Sequence, residues 1–187
     1  LKIAIRPNLP WQMDVGVLGM VTTAGATKTA GLSLPSTLQG DDVLWTQSTV
    51  FIDTTASAYG TTQQTGRIVS AEFELGNGVN ARHTLDGAAT PYRIALSKER
   101  ALSCTIVAEY DSQTQYTAWA AGTVQRVQLK ATGASSRSVK LNISGYWETV
   151  PFGEDNGVIT TQMKLMGLYD ATTLTSDVQL VIVNGVT

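Results

Sequence analysis

Two stretches with strict alternation of apolar and polar residues dominate the middle of the chain. In Ile68–Leu75 the apolar residues take every second position, and serine and glutamate lie between them. Leu102–Tyr110 alternates in the same way. A period of two places one face of a strand on a core and the other in water, so both stretches are predicted to be half-buried strands. The segment between them is predicted to be a polar link with turns at Gly76-Asn77-Gly78 and Asp86-Gly87, followed by the charged run Lys98-Glu99-Arg100.

Similar patterns predict strands on both sides of this unit. Alternation continues through Thr123–Ala131 and through residues 139–148, where the second strand opens a hairpin. Asp177–Asn184 is a nearly continuous apolar run and is predicted to be a closing strand that is buried on both faces. The remaining predicted segments are Lys2–Arg6, Asp14–Val21, Val43–Asp53, the hairpin loop Pro151–Gly157 and its return strand Val158–Tyr169.

One short helix is predicted over Asp111–Gly122. Ser112 and Gln115 have the spacing of a capping box, and Gly122 is placed to end the helix. Tyr116, Trp119 and Ala120 would form the apolar stripe that packs on the sheet. At least seven strands with one helix predict a mainly β fold, an antiparallel sandwich or half-barrel with one flanking helix.

Two segments of small polar residues are predicted to be loops or arms rather than packed elements. They are residues 22–42, and Thr54–Gly66. A loop as long as the first usually has a binding role or is disordered, and both readings stay open. The whole chain, residues 1–187, is predicted to be a single β domain that carries these arms.

Composition excludes several classes of function. A net charge of −2 gives no basic surface for binding nucleic acid through its phosphates. The single cysteine, Cys104, rules out an internal disulfide and lies on the apolar face of its strand. No membrane helix is expected, because no apolar run is long enough, and the N-terminus lacks the pattern of a signal peptide. The first residue is Leu1, which suggests a processed or incomplete start.

No constellation of catalytic or metal-binding residues emerges, and neither an enzyme activity nor a cofactor is expected. His83 is the only histidine, so no Ser-His-Asp or Cys-His set can be nominated, and it is predicted to be a polar loop or interface residue. Glu72 and Glu74 share a strand face, which a solvated or lumen-lining surface explains better than acid-base catalysis. Turn chemistry accounts for the remaining acidic and glycine-rich groups, which are Asp41-Asp42, Asp86, Glu154-Asp155 and Gly76-Asn77-Gly78.

The order of short motifs from Val43 to the C-terminus resembles the major tail tube proteins of bacteriophages with long, non-contractile tails. Individually the motifs are short and degenerate, and their order and spacing carry the resemblance. They are Val50-Phe51-Ile52-Asp53, Gly60-Thr61-Thr62, the strand Gly66–Leu75, Asp86-Gly87, Pro91-Tyr92-Arg93-Ile94 and the strand Ala101–Tyr110.

The resemblance implies a structural subunit of the virion tail that assembles in the host cytoplasm. Six copies would close a ring around a lumen, rings would stack into a tube, and DNA would pass without specific binding. Partners would be further copies, the tape measure, terminator and tail-tip proteins, and no membrane. Candidate lumen-lining residues are Glu72, Glu74, Glu109 and Glu148. Arg126, Lys130 and Lys140 indicate that other polar faces point outward or pair across subunits.

Two alternatives stay open beside the tail tube. A tail terminator or tail-tip protein of the same fold would form rings that do not stack. A β-sandwich module that binds carbohydrate or a host surface would need exposed, coplanar aromatic side chains. The tryptophans are scattered along the chain, which favours core or interface anchors over such a platform. The candidate anchors are Trp45, Phe73, Trp119 and Trp147.

Overall fold

The two alternating stretches pair with each other as antiparallel strands in the middle of one sheet. The computed structural model describes residues 1–16, 44–85, 92–96, 100–133 and 137–183. The chain is mainly β, as predicted. The strands are β1 (Lys2–Ile5), β2 (Gln12–Asp14), β3 (Ser48–Thr54), β4 (Ile68–Gly76), β5 (Val79–Arg82), β6 (Arg93–Leu96), β7 (Ala101–Glu109), β8 (Val124–Thr132), β9 (Ser138–Thr149), β10 (Phe152–Asp155), β11 (Val158–Gly167) and β12 (Val178–Val183), and the helix is α1 (Thr114–Ala120).

The main sheet has ten strands and is antiparallel throughout. Its path is β2-β1-β4-β7-β11-β9-β8-β3, and β10 and β12 pair with β11 and β9 beside that path. β5 and β6 form a separate two-stranded hairpin. The sheet curls into a half-barrel, which confirms the second of the two predicted architectures.

The concave face of the half-barrel holds the core. Every second residue of the central strands points inward, and Phe73, Cys104 and Ile106 are fully buried there. The two ends of the sheet approach each other where the Trp11 indole N–H donates to Ser48 Oγ at 2.6 Å and Pro10 bridges Leu44. The curl therefore lets a single sheet bury one apolar face against itself.

Two segments, one predicted strand and one predicted loop, differ from their predictions. The prediction that Asp177–Asn184 is buried on both faces is wrong, because β12 pairs only with β9 among the described residues and Ile182 is 61% exposed. The predicted loop Pro151–Gly157 contains the strand β10, so β9 and β10 form one long arm of a hairpin with β11. Its tip turns at Asn156-Gly157, where the sequence places a turn.

The helix is shorter than predicted and begins differently. It spans Thr114–Ala120 and makes no side-chain cap, so the capping box is wrong; Gln115 instead accepts a hydrogen bond from the Trp147 indole N–H at 3.0 Å. The predicted stripe is confirmed in part: Trp119 donates to the Glu148 carbonyl of β9 at 3.1 Å and Tyr116 stacks on Phe152 of β10, but both stay partly exposed, and Ala118 is the helix residue that packs on the core. Gly122 does end the helix, with a φ of 61° that favours glycine.

Other segments are confirmed in part. The N-terminal strand is present as β1, and the strand predicted for Val43–Asp53 begins later, at Ser48, after a 3-10 turn. β2 ends at Asp14, so it overlaps the predicted strand Asp14–Val21 by one residue, and residues 17–21 lie outside the described residues. The link between β4 and β7 contains the hairpin β5–β6. The arm 22–42, Asp86-Gly87 and Lys98-Glu99 also lie outside the described residues.

Gly145 lies where two neighbouring strands are too close together for a side chain. It lies in β9 between β8 and β11, opposite Gln125 and Gly167. A Cβ atom there would overlap the backbone carbonyl of Met166, which cannot move without breaking the pairing of β11. The close pairing of β9 with β11 at this position therefore requires glycine.

We expect Gly145→Ala to destabilise the fold by about 2–3 kcal/mol, because the overlap is with backbone rather than with a flexible side chain. Thermal unfolding followed by circular dichroism would show the loss as a Tm lower by roughly 5–10 °C. Gly76→Ala in β4 is the matched control, since its Cβ would meet its nearest neighbour at an ordinary 3.9 Å. Equal Tm values for the two variants would contradict the close approach.

Candidate assembly surfaces

The convex face of the sheet divides into two halves with different surroundings. On the half formed by β4, β7 and the end of β9, the polar side chains face outward, and no loop in the described part of the chain lies over them. Glu72 and Glu74 point outward from β4, and Glu109 from β7. Glu148 lies in β9 at a bulge opposite Lys164 and Leu165. The structure therefore brings all four predicted lumen residues to one surface, which we call the glutamate face.

Two of the four carboxylates on the glutamate face are neutralised within the subunit. Lys2 Nζ lies 2.6 Å from Glu72, and Lys164 Nζ lies 2.7 Å from Glu148. The hydrogen bond to Glu72 raises the pKa of Lys2, so this ammonium stays charged. Within the described residues, Glu74 and Glu109 form no ion pair. The face is therefore weakly acidic and offers no free lysine or arginine cluster to a phosphate chain.

Two loops cover the other half of the convex face, over β8 and β9. They meet at Arg126, which is only 6% exposed. Its guanidinium donates to the Ser57 carbonyl at 2.9 Å and to Thr173 Oγ1 at 2.7 Å, and it lies 3.3 Å from the Asp170 carboxylate. Tyr59 stacks its ring on the guanidinium and donates its hydroxyl to Asp170 at 3.1 Å. We call this group the arginine lock.

The arginine lock corrects the expectation that Arg126 points outward or pairs across subunits. Its partner Asp170 is equally buried, and burial alone would raise the pKa of the carboxyl group. Hydrogen bonds from the Thr173 and Thr172 amides, the Thr172 hydroxyl and Tyr59 outweigh burial and lower the pKa of Asp170 to about 2. Burial is the main cause that raises the pKa of Tyr59, and the hydrogen bond to Asp170 raises it further. The lock therefore holds an ionised carboxylate and a neutral phenol at neutral pH.

The loop Thr54–Gly66 is fixed to its own subunit. The Asp53 carboxylate, fully buried, accepts hydrogen bonds from the backbone amides of Gly60, Thr61 and Thr62. Beyond them the loop runs back along β3 and covers its outer edge, where the Ile52 amide donates to the Thr62 carbonyl at 3.1 Å. The predicted polar loop is thus a folded cover with an exposed outer surface.

The four candidate anchors separate into two pairs. Phe73 and Trp147 lie in the core. Trp45 is 41% exposed, and Trp119 lies on the surface of α1. Trp119 belongs to an aromatic cluster in which the Tyr116 ring lies 5.2 Å from it and 6.0 Å from Phe152. Trp45 and Trp119 stay candidates for an interface.

Unpaired strand edges and exposed apolar hairpins form the remaining surface features. Within the described residues, β2, β10 and β12 each pair on one side only. Such edges present unpaired backbone groups to another chain. On the hairpin β5–β6, Tyr92 is 67% and Leu96 71% exposed. These surfaces are costly for a free monomer and suited to contact with another molecule.

The other residues considered for chemistry lie in ordinary environments. His83 is exposed just after β5, as predicted for a polar loop residue. Cys104 is fully buried, and burial raises the pKa of its thiol to about 12. In the described part of the chain, no three His, Cys, Asp or Glu side chains gather as a metal site, and no helix is long and apolar enough to span a membrane.

The family model for the phage tail tube protein matches residues 1–176. The chain belongs to the phage tail tube protein family. This confirms the resemblance seen in the sequence. Comparison with curated proteins gives no match. Tail tube proteins are structural rather than enzymatic, form part of the virion tail, and assemble with one another and with other tail proteins.

Sequence reasoning missed the arginine lock of this tail tube protein. Arg126 alternates with apolar residues, and this pattern reads as a solvated face. The signal that could have found the lock is Asp170-Ala171-Thr172-Thr173, because aspartate followed by threonines tends to accept local backbone amides. Nothing in the pattern pairs this turn with Arg126, which lies far away in the sequence.

We expect Asp170→Asn to destabilise the subunit by about 3–5 kcal/mol at pH 7, because it leaves the buried Arg126 without its counter-ion. Urea unfolding would measure the loss, with Asp155→Asn, an exposed carboxylate, as the control. The folded pKa of about 2 lies below the unfolded value, so this contribution is complete above about pH 4 and is lost as the pH falls toward 2. The variant should therefore lose less stability than the wild type over that pH range. An unchanged pH profile would contradict the role of Asp170.

Proposed function

We propose that this protein is the major tail tube subunit of a phage with a long, non-contractile tail. Six copies form a ring around a lumen, the rings stack into a tube, and DNA passes through it during ejection. The subunits assemble in the host cytoplasm, with the tape measure, terminator and tail-tip proteins as further partners. Family membership supports the tube, and the division of the convex face supports its orientation.

The observation that carries the proposal is that, within the described residues, loops cover one half of the convex face and leave the other half exposed. The two halves pack against each other through the core, so their outer surfaces point away from each other. The covered half, over β8 and β9, suits the outside of a tube. The glutamate face suits the lumen, where exposed carboxylates repel the phosphates of DNA and the neighbouring lysines are already paired.

The free edges of β2 and β12 support the ring. Joining the sheets of neighbouring subunits through such edges pairs their backbone groups and removes a site of uncontrolled association. The exposed hairpin β5–β6 and the arm 22–42 supply further contacts with neighbours. The loop Thr54–Gly66 takes part through its exposed outer surface, since its backbone is bound to β3.

Negative-stain electron microscopy of the purified protein over a concentration series tests the assembly. We expect hollow tubes with sixfold rings. Single rings that never stack would favour a terminator of the same fold instead. Particles that stay monomeric at high concentration, also when tail-tip complexes are added as initiators, would contradict the proposal.

Cysteine labelling tests which face lines the lumen. We expect Glu74→Cys to react with small and with polymer-linked maleimides in the monomer, but only with the small reagent in the tube. Ala171→Cys is the matched control, because it is exposed in the turn after Asp170, over β8 and β9, and should react with both reagents in both states. The buried Cys104 gives a low background. Labelling of Glu74→Cys tubes by the large reagent would place the glutamate face outside.

A further inference from the structure

Two lysines face each other on neighbouring strands without a counter-ion. Lys130 in β8 lies directly opposite Lys140 in β9, and both are partly buried. Like charges at directly opposed positions destabilise a sheet. Neither lysine forms an ion pair with any residue that the structure describes. Among the described residues, this repulsion is not relieved by any anion.

The lysine pair lies beside β12, which pairs with β9 alone among the described strands. Val181 is the register partner of Lys140 on its other side, and Val183, further along β12, is 44% exposed. The surface thus combines two cations, an apolar rim and a row of free backbone groups. We call it the lysine surface. It fits a partner that is acidic, partly apolar and extended.

The tip of the hairpin β10–β11 has this chemistry. Glu154 and Asp155 are exposed there, and within the described chain they form no ion pair. Phe152 and Ile159 beside them are also exposed. The lysine surface lies near the start of β9, and the tip lies beyond its end, so the two surfaces occupy opposite ends of the same strand path.

One molecule cannot join its own two surfaces across that distance, but a row of copies can. A contact between two different patches is heterologous and repeats from copy to copy along an axis. This is the symmetry that the stacking of rings requires. The chemistry also matches, since Glu154 shares its face of the hairpin with Phe152 and Ile159, so one carboxylate and two apolar side chains would meet the lysine surface together.

We propose that the tip Glu154–Asp155 of one subunit binds the lysine surface, Lys130 and Lys140 beside β12, of a subunit in the adjacent ring. This inference rests on the proposed function and names the residues that join its rings. The bound Glu154 carboxylate lies between the opposed lysines, while Phe152 and Ile159 on the same face of the hairpin cover the apolar rim. The contact gives the tube its direction, because a tip cannot bind another tip.

Cross-linking tests the contact directly. Asp155→Cys combined with Lys140→Cys, treated with a short bis-maleimide under assembly conditions, should give a ladder of covalent multimers on denaturing gels. Each single variant is a control and should give no ladder, because a head-to-tail contact never brings two copies of one position together. Rings or tubes in the microscope without a ladder would overturn this inference and leave the proposed function standing.

Charge reversal supplies an independent test. We expect Lys130→Glu with Lys140→Glu, and separately Glu154→Lys with Asp155→Lys, to raise the concentration needed for tubes about tenfold or more. Combining all four substitutions should restore tubes, which also shows that the reversed chains fold. The control exchanges a pair that is satisfied within the subunit, Arg67→Asp with Asp111→Arg, and should leave assembly unchanged.

The outcomes distinguish failure of the contact between rings from failure of the proposed function. If the wild type forms tubes and both reversed variants form them equally well, the tip contact is wrong and the tail tube function stands. If the wild type forms rings that do not stack, or no assembly at all, the proposed function fails and this contact fails with it. Tubes that are lost on reversal and regained in the fourfold variant establish the contact.

Discussion

The structure depends on one constraint, which is that a single sheet must bury its apolar face without a second sheet to cover it. A flat sheet would leave Phe73, Cys104 and Ile106 in water, so the sheet curls until its two halves meet. Within the curled sheet, β9 and β11 approach closely at Gly145, and β9 has a bulge where Glu148 faces β11. The shape of the subunit follows from this burial, and so does the separation of its convex face into two surfaces that point apart.

The arginine lock decides which of these surfaces is covered. A buried ion pair adds little stability by itself, because desolvation of both charges offsets their attraction. Its value here is geometric: Arg126 bonds the loop at Ser57 and the turn at Thr173 at the same time. Both loops are thereby held over β8 and β9. An apolar residue at Arg126 would fill the space without joining the two loops.

The sequence predicts the strands well and their surroundings poorly. Alternation located β4, β7, β8 and β9 because one face of each is buried on a common core, which a local pattern records. An apolar run does not distinguish a central strand from an edge strand, so β12 is present as predicted but is not buried on both faces. The local spacing of Ser112 and Gln115 predicts a cap, whereas Gln115 bonds to Trp147 in a distant strand, and a local pattern does not record such a contact. The glutamate face was predictable from period two alone, whereas the arginine lock joins distant residues and was not.

The features that are unfavourable in the monomer lie at two kinds of position, the sides of the sheet and the ends of its strands. The free edges of β2 and β12 lie at the sides of the sheet, while the opposed lysines and the acidic tip lie at opposite ends of the strand path through β9 and β10. Among the described residues no anion neutralises Lys130 or Lys140, and a partner that supplies one would relieve their opposition. Because the contact between rings rests on charge, screening by salt should weaken it more than the apolar and backbone contacts within a ring. The distribution of unsatisfied groups therefore implies two classes of interface with different chemistry, one lateral and one axial, in a subunit whose net charge is only −2.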